Sequence, residues 1–299
     1  MTIFELLNQA TSVLKTQGTS SALELSSPML DAELLLSHVI QTNRASLFTN
    51  LNKDVSLEHQ TAFLELIARR AKHEPVAYLT GEKEFYGRSF WVSKNTLIPR
   101  PATEDLLELI LKTSQNTYST PQNSLLLDIG TGSGCLSVSL AAETGKSVIA
   151  TDIDEKTLQM AQKNAERHNV ANLITFEKAF LLPQNIHKTL THKTTLVIAA
   201  NLPYVPAETF SEVMDDVRLF EPVHALISGN DGLNLIWHLL WRMYLMLPLL
   251  PKNTHIFLEH DTLQNKEINK LVERILPTFS VNSHNDTSGT PRLTHLHNT

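Results

Sequence analysis

Three glycines at alternate positions, Gly130, Gly132 and Gly134, follow the apolar run Leu125-Leu126-Leu127-Asp128-Ile129 and precede Leu136, Val138, Leu140 and Ala141. The pattern predicts a strand that turns through glycine into a helix start, where the backbone can approach a ligand and free N–H groups face it. A nucleotide-like ligand suits that cradle. The dinucleotide fingerprint G-x-G-x-x-G would put its last glycine where Cys135 stands, so the spacing points away from NAD. The next strand ends Ala150-Thr151-Asp152-Ile153-Asp154, with Asp152 18 residues beyond Gly134. A carboxylate there can accept hydrogen bonds from both hydroxyls of a ribose, or it can cap the following helix. Asp154 is the better cap. Asp128 is expected to organise the glycine loop through backbone N–H bonds, with a direct ligand contact as the alternative.

The loop resembles motif I of class I S-adenosylmethionine-dependent methyltransferases. That resemblance implies S-adenosylmethionine as cofactor, contacted by Gly130, Thr131, Gly132, Ser133 and Gly134, with Asp152 at the ribose. It also implies that Glu177-Lys178-Ala179-Phe180 lies near the adenine, with Ala179 and Asn201 among the cofactor contacts. A second motif follows the strand Leu196 to Ala200: Asn201-Leu202-Pro203-Tyr204, at the strand end where open α/β sheets bind ligands. An amide or aromatic-amine nitrogen is a poor nucleophile because its lone pair is delocalised. If the Asn201 side-chain oxygen and the Leu202 carbonyl accept its two N–H bonds, the nitrogen is held, more electron-rich, facing the sulfonium methyl. Asn201 and Tyr204 are the catalytic candidates, and Asn201, Leu202, Pro203 and Tyr204 the substrate-binding ones, with Tyr204 able to stack on a planar group. Turn punctuation is the bland alternative.

The tetrapeptide resembles the Asn-Pro-Pro-Tyr signature of methyltransferases acting on planar nitrogen. Further segments resemble the release-factor glutamine methyltransferases (PrmC/HemK type): Leu30-Asp31-Ala32-Glu33-Leu34-Leu35-Leu36, Arg69-Arg70-Ala71, Glu74 to Gly81, Glu84-Phe85-Tyr86-Gly87, Leu97-Ile98-Pro99-Arg100-Pro101 and Gly229-Asn230-Asp231-Gly232-Leu233. Nearly the whole chain is covered. The resemblance implies methyl transfer to the glutamine nitrogen of the Gly-Gly-Gln loop of peptide-chain release factors. Departures are Leu202 for the usual first proline, Ala102 after Arg100-Pro101, and Lys178 and Ala179 in the adenine segment. Three other readings stay open: a ribosomal-protein glutamine methyltransferase, an adenine N6-methyltransferase acting on nucleic acid, and a cofactor-binding regulator without activity.

These residues need a scaffold, and the rest of the chain supplies its pattern. Short apolar runs at Leu125 to Ile129, Ser147 to Thr151, Leu173 to Phe176, Leu196 to Ala200 and His255 to Glu259 alternate with helical segments. That alternation predicts an α/β fold: a Rossmann-like methyltransferase domain with a mostly parallel seven-stranded sheet. Phe279 to Val281 and Arg292 to Leu296 could add two antiparallel strands. The polar stretch Ser114 to Ser124 reads as a loop. Residues 1–74 form a helical substrate-recognition domain, 75–98 a hairpin linker and 99–299 the methyltransferase domain. Thr2 and Glu5 have capping-box spacing, Ser27-Pro28 suits a helix start, and Leu30, Leu34, Leu35 and Val39 form an inward stripe.

The 299 residues carry 25 Lys+Arg against 31 Asp+Glu, a net charge of -6, which disfavours nucleic acid as a substrate. One cysteine excludes a disulfide framework, and a cytoplasmic address is the default. Met1 to Lys15 reads as an amphipathic helix, and Leu233 to Leu250 is too interrupted to span a membrane. The 13 histidines show no metal-ligand spacing, so no metal is expected; His284, His295 and His297 read as surface residues. Trp237 and Trp241, four apart, read as core, and Cys135 as packing. A monomer acting on a protein substrate is expected.

Overall fold

The computed structural model describes residues 1–17, 25, 27–117 and 123–298. They separate into two compact units, Met1–Glu82 with Ser211–Glu221, and Lys83–Phe210 with Pro222–Thr299. The expected loop beyond Thr117 lies in part outside the described residues, and the preceding helix runs on to Thr117.

In the first unit, helices α1 (Ile3–Gln17), α2 (Pro28–Val39), α3 (Arg44–Thr49), α4 (Leu57–Arg70) and α5 (Val76–Thr80) enclose Leu6, Leu7, Leu35, Leu36, Leu47, Phe63 and Ile67. The capping box at Thr2 is made in both directions, Glu5 N donating to Thr2 Oγ1 and Thr2 N to Glu5 Oε2. Ser27 makes no side-chain cap, but Pro28 takes the first helical position as expected. One expectation fails on α2: Leu30 and Leu34 are exposed, while Leu35 and Leu36 are buried. The helix carries more leucines than one face can bury. A short helix, Asp215–Phe220, belongs to this unit although it lies far downstream. Arg70, 4% exposed, bridges Asp31 Oδ2 at 2.7 Å and Asp216 Oδ2 at 2.8 Å, and His73 Nδ1 lies 3.0 Å from Asp216. A buried guanidinium with two carboxylate partners fixes one geometry for the segment it holds.

The second unit begins with a hairpin, β1 (Glu82–Phe85) and β2 (Arg88–Trp91), followed by α6 (Pro101–Thr117). Then come β3 (Ser124–Ile129), α7 (Cys135–Thr144), β4 (Val148–Asp152), α8 (Glu155–Arg167), β5 (Ile174–Lys178), α9 (Ile186–Leu190) and β6 (Thr195–Asn201). After α10 (Asp215–Phe220), the helix of the first unit, the chain adds α11 (Asn234–Leu245), β7 (Asn253–Glu259), α12 (Asn265–Ile275), β8 (Phe279–Asn285) and β9 (Pro291–Asn298). The sheet order is β5-β4-β3-β6-β7-β9-β8, with β9 antiparallel to both of its neighbours, β7 and β8, so that β8 runs in the direction of the rest. Leu125, Leu127, Ile198 and Leu258 face α11 and α12; Leu126, Val197, Ala199 and Phe257 face α6 and α7. Strands buried on both faces read as unbroken apolar runs, which is why the parallel strands are legible in the sequence.

Trp237 is partly buried, but Trp241 is 41% exposed, stacked between Trp237 and Tyr244 instead of entering the core. His295 is likewise not a surface residue. It is buried on β9, its Nε2 2.9 Å from His255 Nδ1 and its ring stacked on Phe257. Burial, reinforced by the neighbouring histidines, pushes His255 down to about 4 and His295 down to about 3. The unfolded chain therefore takes up protons below its usual histidine pKa while the folded chain does not, so stability is full above that value and falls as pH falls. Denaturant midpoints should decline between about pH 6.5 and 5, before most carboxylates titrate, and the decline should be shallower in His295→Gln. A flat profile over that interval would remove the histidine pair from the stability account.

Candidate active site

The sheet order reverses at β3, which pairs with β4 on one side and β6 on the other. Ile129 is in register with Thr151 and with Ala200, so the residues that follow, Gly130, Asp152 and Asn201, leave the sheet side by side. Such a switch point is an open crevice at the strand ends. Gly130, Gly132, Asp152, Ala179, Asn201, Leu202 and Pro203 line a cleft of about 340 Å³ there, within the range of small-molecule sites.

The glycine loop is held from below. Asp128, fully buried, accepts hydrogen bonds from Thr131 Oγ1 at 2.6 Å and Ser137 N at 2.9 Å, so its role as loop organiser is the one observed. Burial pushes its carboxyl up to about 6 against those stabilising bonds. Gly130 N and Thr131 N both donate to Thr151 O at 2.9 Å, tying the loop to β4. Gly130 and Gly132 have φ of +74° and +56°, a conformation that glycine adopts without strain. Gly134 does something else: a Cβ there would sit 2.9 Å from Ala161 Cβ, so this glycine lets α7 approach α8. Thr131 and Ser133 are buried beneath the loop, and neither they nor Gly134 line the cleft. Asn164 of α8, which no motif flags, donates to Ser133 O and to Trp91 O and accepts from Trp91 N, clamping loop and hairpin together.

Asp152 receives Gly132 N at 3.1 Å and Asp154 N at 3.0 Å, while Asp154 caps α8 through Thr157 N, as expected. Burial raises the Asp152 carboxyl above its ordinary value. Phe180, from the segment that the resemblance puts near the adenine, also lines the cleft, together with His224, Ser228 and Asn234, which no motif flags. Cys135 is buried, its thiol pushed up to about 12 by burial, which makes it a packing residue.

Asn201 Nδ2 donates to Thr103 Oγ1 at 2.8 Å. Tyr204 is not among the residues that line the cleft; its hydroxyl accepts from Arg292 Nη2 at 2.9 Å, and burial pushes it up to about 12. Its carbonyl accepts from Gln264 Nε2 at 2.8 Å. A Cβ on Gly232 would fall 2.1 Å from that carbonyl oxygen, so the Gly229 to Leu233 segment must carry glycine for the tetrapeptide to sit where it does. Val205 then pairs with Ile227, locking the exit of the motif. Among the described residues no group of three or more His, Cys, Asp or Glu could hold a metal, and no helix is long and apolar enough to cross a membrane.

Comparison with known proteins adds a decisive observation. Over 296 residues the chain is 30% identical to the release factor glutamine methyltransferase of Bacillus anthracis, covering 98% of both chains. The chain belongs to the release factor glutamine methyltransferase family. The enzyme of that name from Nitratidesulfovibrio vulgaris is 38% identical over 214 residues, covering 71% of this chain and 69% of the relative. The PrmC N-terminal domain model matches residues 5–81, and that of ribosomal protein L11 methyltransferase (PrmA) matches residues 106–220. Among solved structures, the catalytic domain of human METTL16 in complex with a MAT2A 3'UTR hairpin has a TM-score of 0.55 at 15% identity, covering 90% of this chain and 91% of that one. That likeness concerns the fold. As a family member the chain is a class I methyltransferase using S-adenosylmethionine.

The cleft fits that cofactor on its own features. Positive-φ glycines bring backbone to one side, and the half-buried carboxylate of Asp152 stands at the end of the neighbouring strand. Asp152→Ala should weaken S-adenosylmethionine binding by about 1.5–3 kcal/mol, the range for hydrogen bonds to a charged acceptor. Calorimetry giving unchanged affinity would leave Asp152 as a loop support alone.

Proposed function

We propose that this chain transfers the methyl group of S-adenosylmethionine to the side-chain nitrogen of the glutamine in the Gly-Gly-Gln loop of peptide-chain release factors, with Asn201 and the Leu202 carbonyl holding that nitrogen. The observation that carries the residue assignment is the position of Asn201: it ends β6, lines the cleft beside Gly130, and already spends its Nδ2 on Thr103. Its oxygen is thereby the end left for a substrate N–H. The bound cofactor supplies an activated methyl; the chain's residues align the glutamine nitrogen with it. Holding both N–H groups fixes the nitrogen's direction and raises its electron density, which together can lower the barrier by several kcal/mol. Leu202 is 4% exposed, with its Cδ2 close to where a Gly130 Cβ would be, so the leucine packs against the glycine loop while its carbonyl remains the required acceptor. Tyr204 anchors the motif through Arg292 and Gln264.

Asn201→Ala should lower kcat by about 100-fold or more and leave S-adenosylmethionine affinity within about three-fold, because the lost contact is to the acceptor nitrogen. Mass spectrometry of the methylated factor gives the readout, and near-normal turnover would sink the assignment.

The helical unit serves recognition in this reading. One glutamine offers too little surface to single out a protein, so a second contact area is needed. Exposed Leu30 and Leu34, one turn apart on α2, are apolar residues with no core role. Leu30→Ser with Leu34→Ser should raise KM for an intact release factor by about five-fold or more and leave a free Gly-Gly-Gln peptide unaffected. Equal KM values for the intact factor would place the contact elsewhere. Deleting residues 1–74 is a poorer test, since it strips Arg70 from the Asp216 segment.

A further inference from the structure

A side-chain amide has two ends of nearly the same shape and opposite chemistry: Oδ1 accepts, Nδ2 donates. Only the accepting end of Asn201 can serve an N–H of the substrate. Something must therefore decide which end faces the cleft. Behind Asn201 stand Thr103, 3% exposed, and Glu259, 1% exposed. Asn201 Nδ2 donates to Thr103 Oγ1 at 2.8 Å, and Thr103 Oγ1 donates to Glu259 Oε2 at 2.7 Å. Thr103 comes from the first turn of α6 and Glu259 from the last residue of β7, in register with Asn201 of β6.

A hydroxyl has one proton. Glu259 Oε2 accepts that proton, so the bond commits it and leaves Thr103 nothing but lone pairs for Asn201. Asn201 must then turn its Nδ2 inward and its Oδ1 outward. We propose that Thr103 and Glu259 are positioning residues that set the orientation of the Asn201 amide, acting as a one-way hydrogen-bond relay from a buried carboxylate to the residue that receives the substrate. This rests on the reading of Asn201 given above. Burial raises the Glu259 carboxyl above its ordinary value, and the Thr103 bond, the Arg292 and Arg100 guanidinium groups and the Tyr204 hydroxyl offset that only in part. Its other oxygen, Oε1, has no partner at hydrogen-bond distance among the described residues. A buried carboxylate with one direct bond and two nearby cations is costly as mere packing, and the relay gives it a use. Arg292 also holds the Tyr204 hydroxyl, so the same cation supports both ends of the tetrapeptide.

The test is steady-state methylation of an intact release factor by the full-length protein, with S-adenosylmethionine affinity by calorimetry and thermal melting for every variant. Thr103→Val keeps the shape and removes the hydroxyl; kcat should fall by about 100-fold, with KM and cofactor affinity changed by less than about three-fold. Thr103→Ser restores the hydroxyl and should return kcat to within about three-fold of the starting protein. Glu259→Gln can donate to Thr103 and free its proton for Asn201 Oδ1, so kcat should fall there too. In the Asn201→Ala background, Thr103→Val should cause no further loss, because its effect runs through that amide. A Thr103→Val protein with undiminished kcat, alongside an inactive Asn201→Ala, would overturn the relay and leave the Asn201 assignment standing. Independent, additive losses in the double variant would also overturn it. An Asn201→Ala protein with full kcat would overturn the assignment and the relay together. Should Glu259→Gln fail to melt cooperatively, the Thr103 variants decide the matter alone.

Discussion

Parallel pairing of β3 with β4 and β6 is the constraint on which everything else rests. Because Ile129 lies in register with both Thr151 and Ala200, the chain leaves the sheet at three neighbouring points carrying a glycine, a carboxylate and an amide. No side chain has to reach far. The backbone N–H groups of Gly130 and Thr131 close on Thr151 O, and the apolar faces of the strands keep that register by burying Leu125, Leu127 and Ile129 on one side and Leu126 on the other. A slip of one residue would exchange the two faces, so packing and site geometry are enforced together.

Around this frame the polar groups are supported from behind. Asp128 holds the glycine loop, Asn164 holds the loop and the hairpin, Gln264 holds the Tyr204 carbonyl, and Thr103 holds Asn201. Each is a buried or half-buried side chain whose bonds are already made, so the cleft is organised before any ligand arrives. Preorganisation of this kind is what gives electrostatic positioning its effect in a low-dielectric site.

What could be read in advance, and what could not, follows from the range of the interactions. The glycine loop, the Asp152 strand end and the Asn201 tetrapeptide are local patterns, and the five parallel strands announce themselves as apolar runs. The supports are long-range: Thr103 meets Glu259 and Asn201 across most of the second unit, and nothing near Asn164 in sequence hints at Ser133. Composition misled on burial. Leu30, Leu34 and Trp241 are apolar yet exposed, because α2 and α11 carry more apolar residues than one face accommodates. His295 is polar yet buried, because His255 and Phe257 give it a stacked, hydrogen-bonded place. The assignment of Ser211–Glu221 to the helical unit was out of reach for the same reason, since it depends on Arg70 finding Asp216.

That last feature has a bearing on how the chain is made. A helical unit drawn only from the N-terminal residues could complete its core as soon as it left the ribosome, in the usual order of domain folding during synthesis. Here the guanidinium of Arg70 gains Asp31 early but must wait for Asp216, which is translated only after β3, β4, β5 and β6. The first unit to emerge therefore cannot be finished when its own run of helices is complete, and its buried charge stays half-compensated on the nascent chain until four strands of the catalytic sheet have been synthesised.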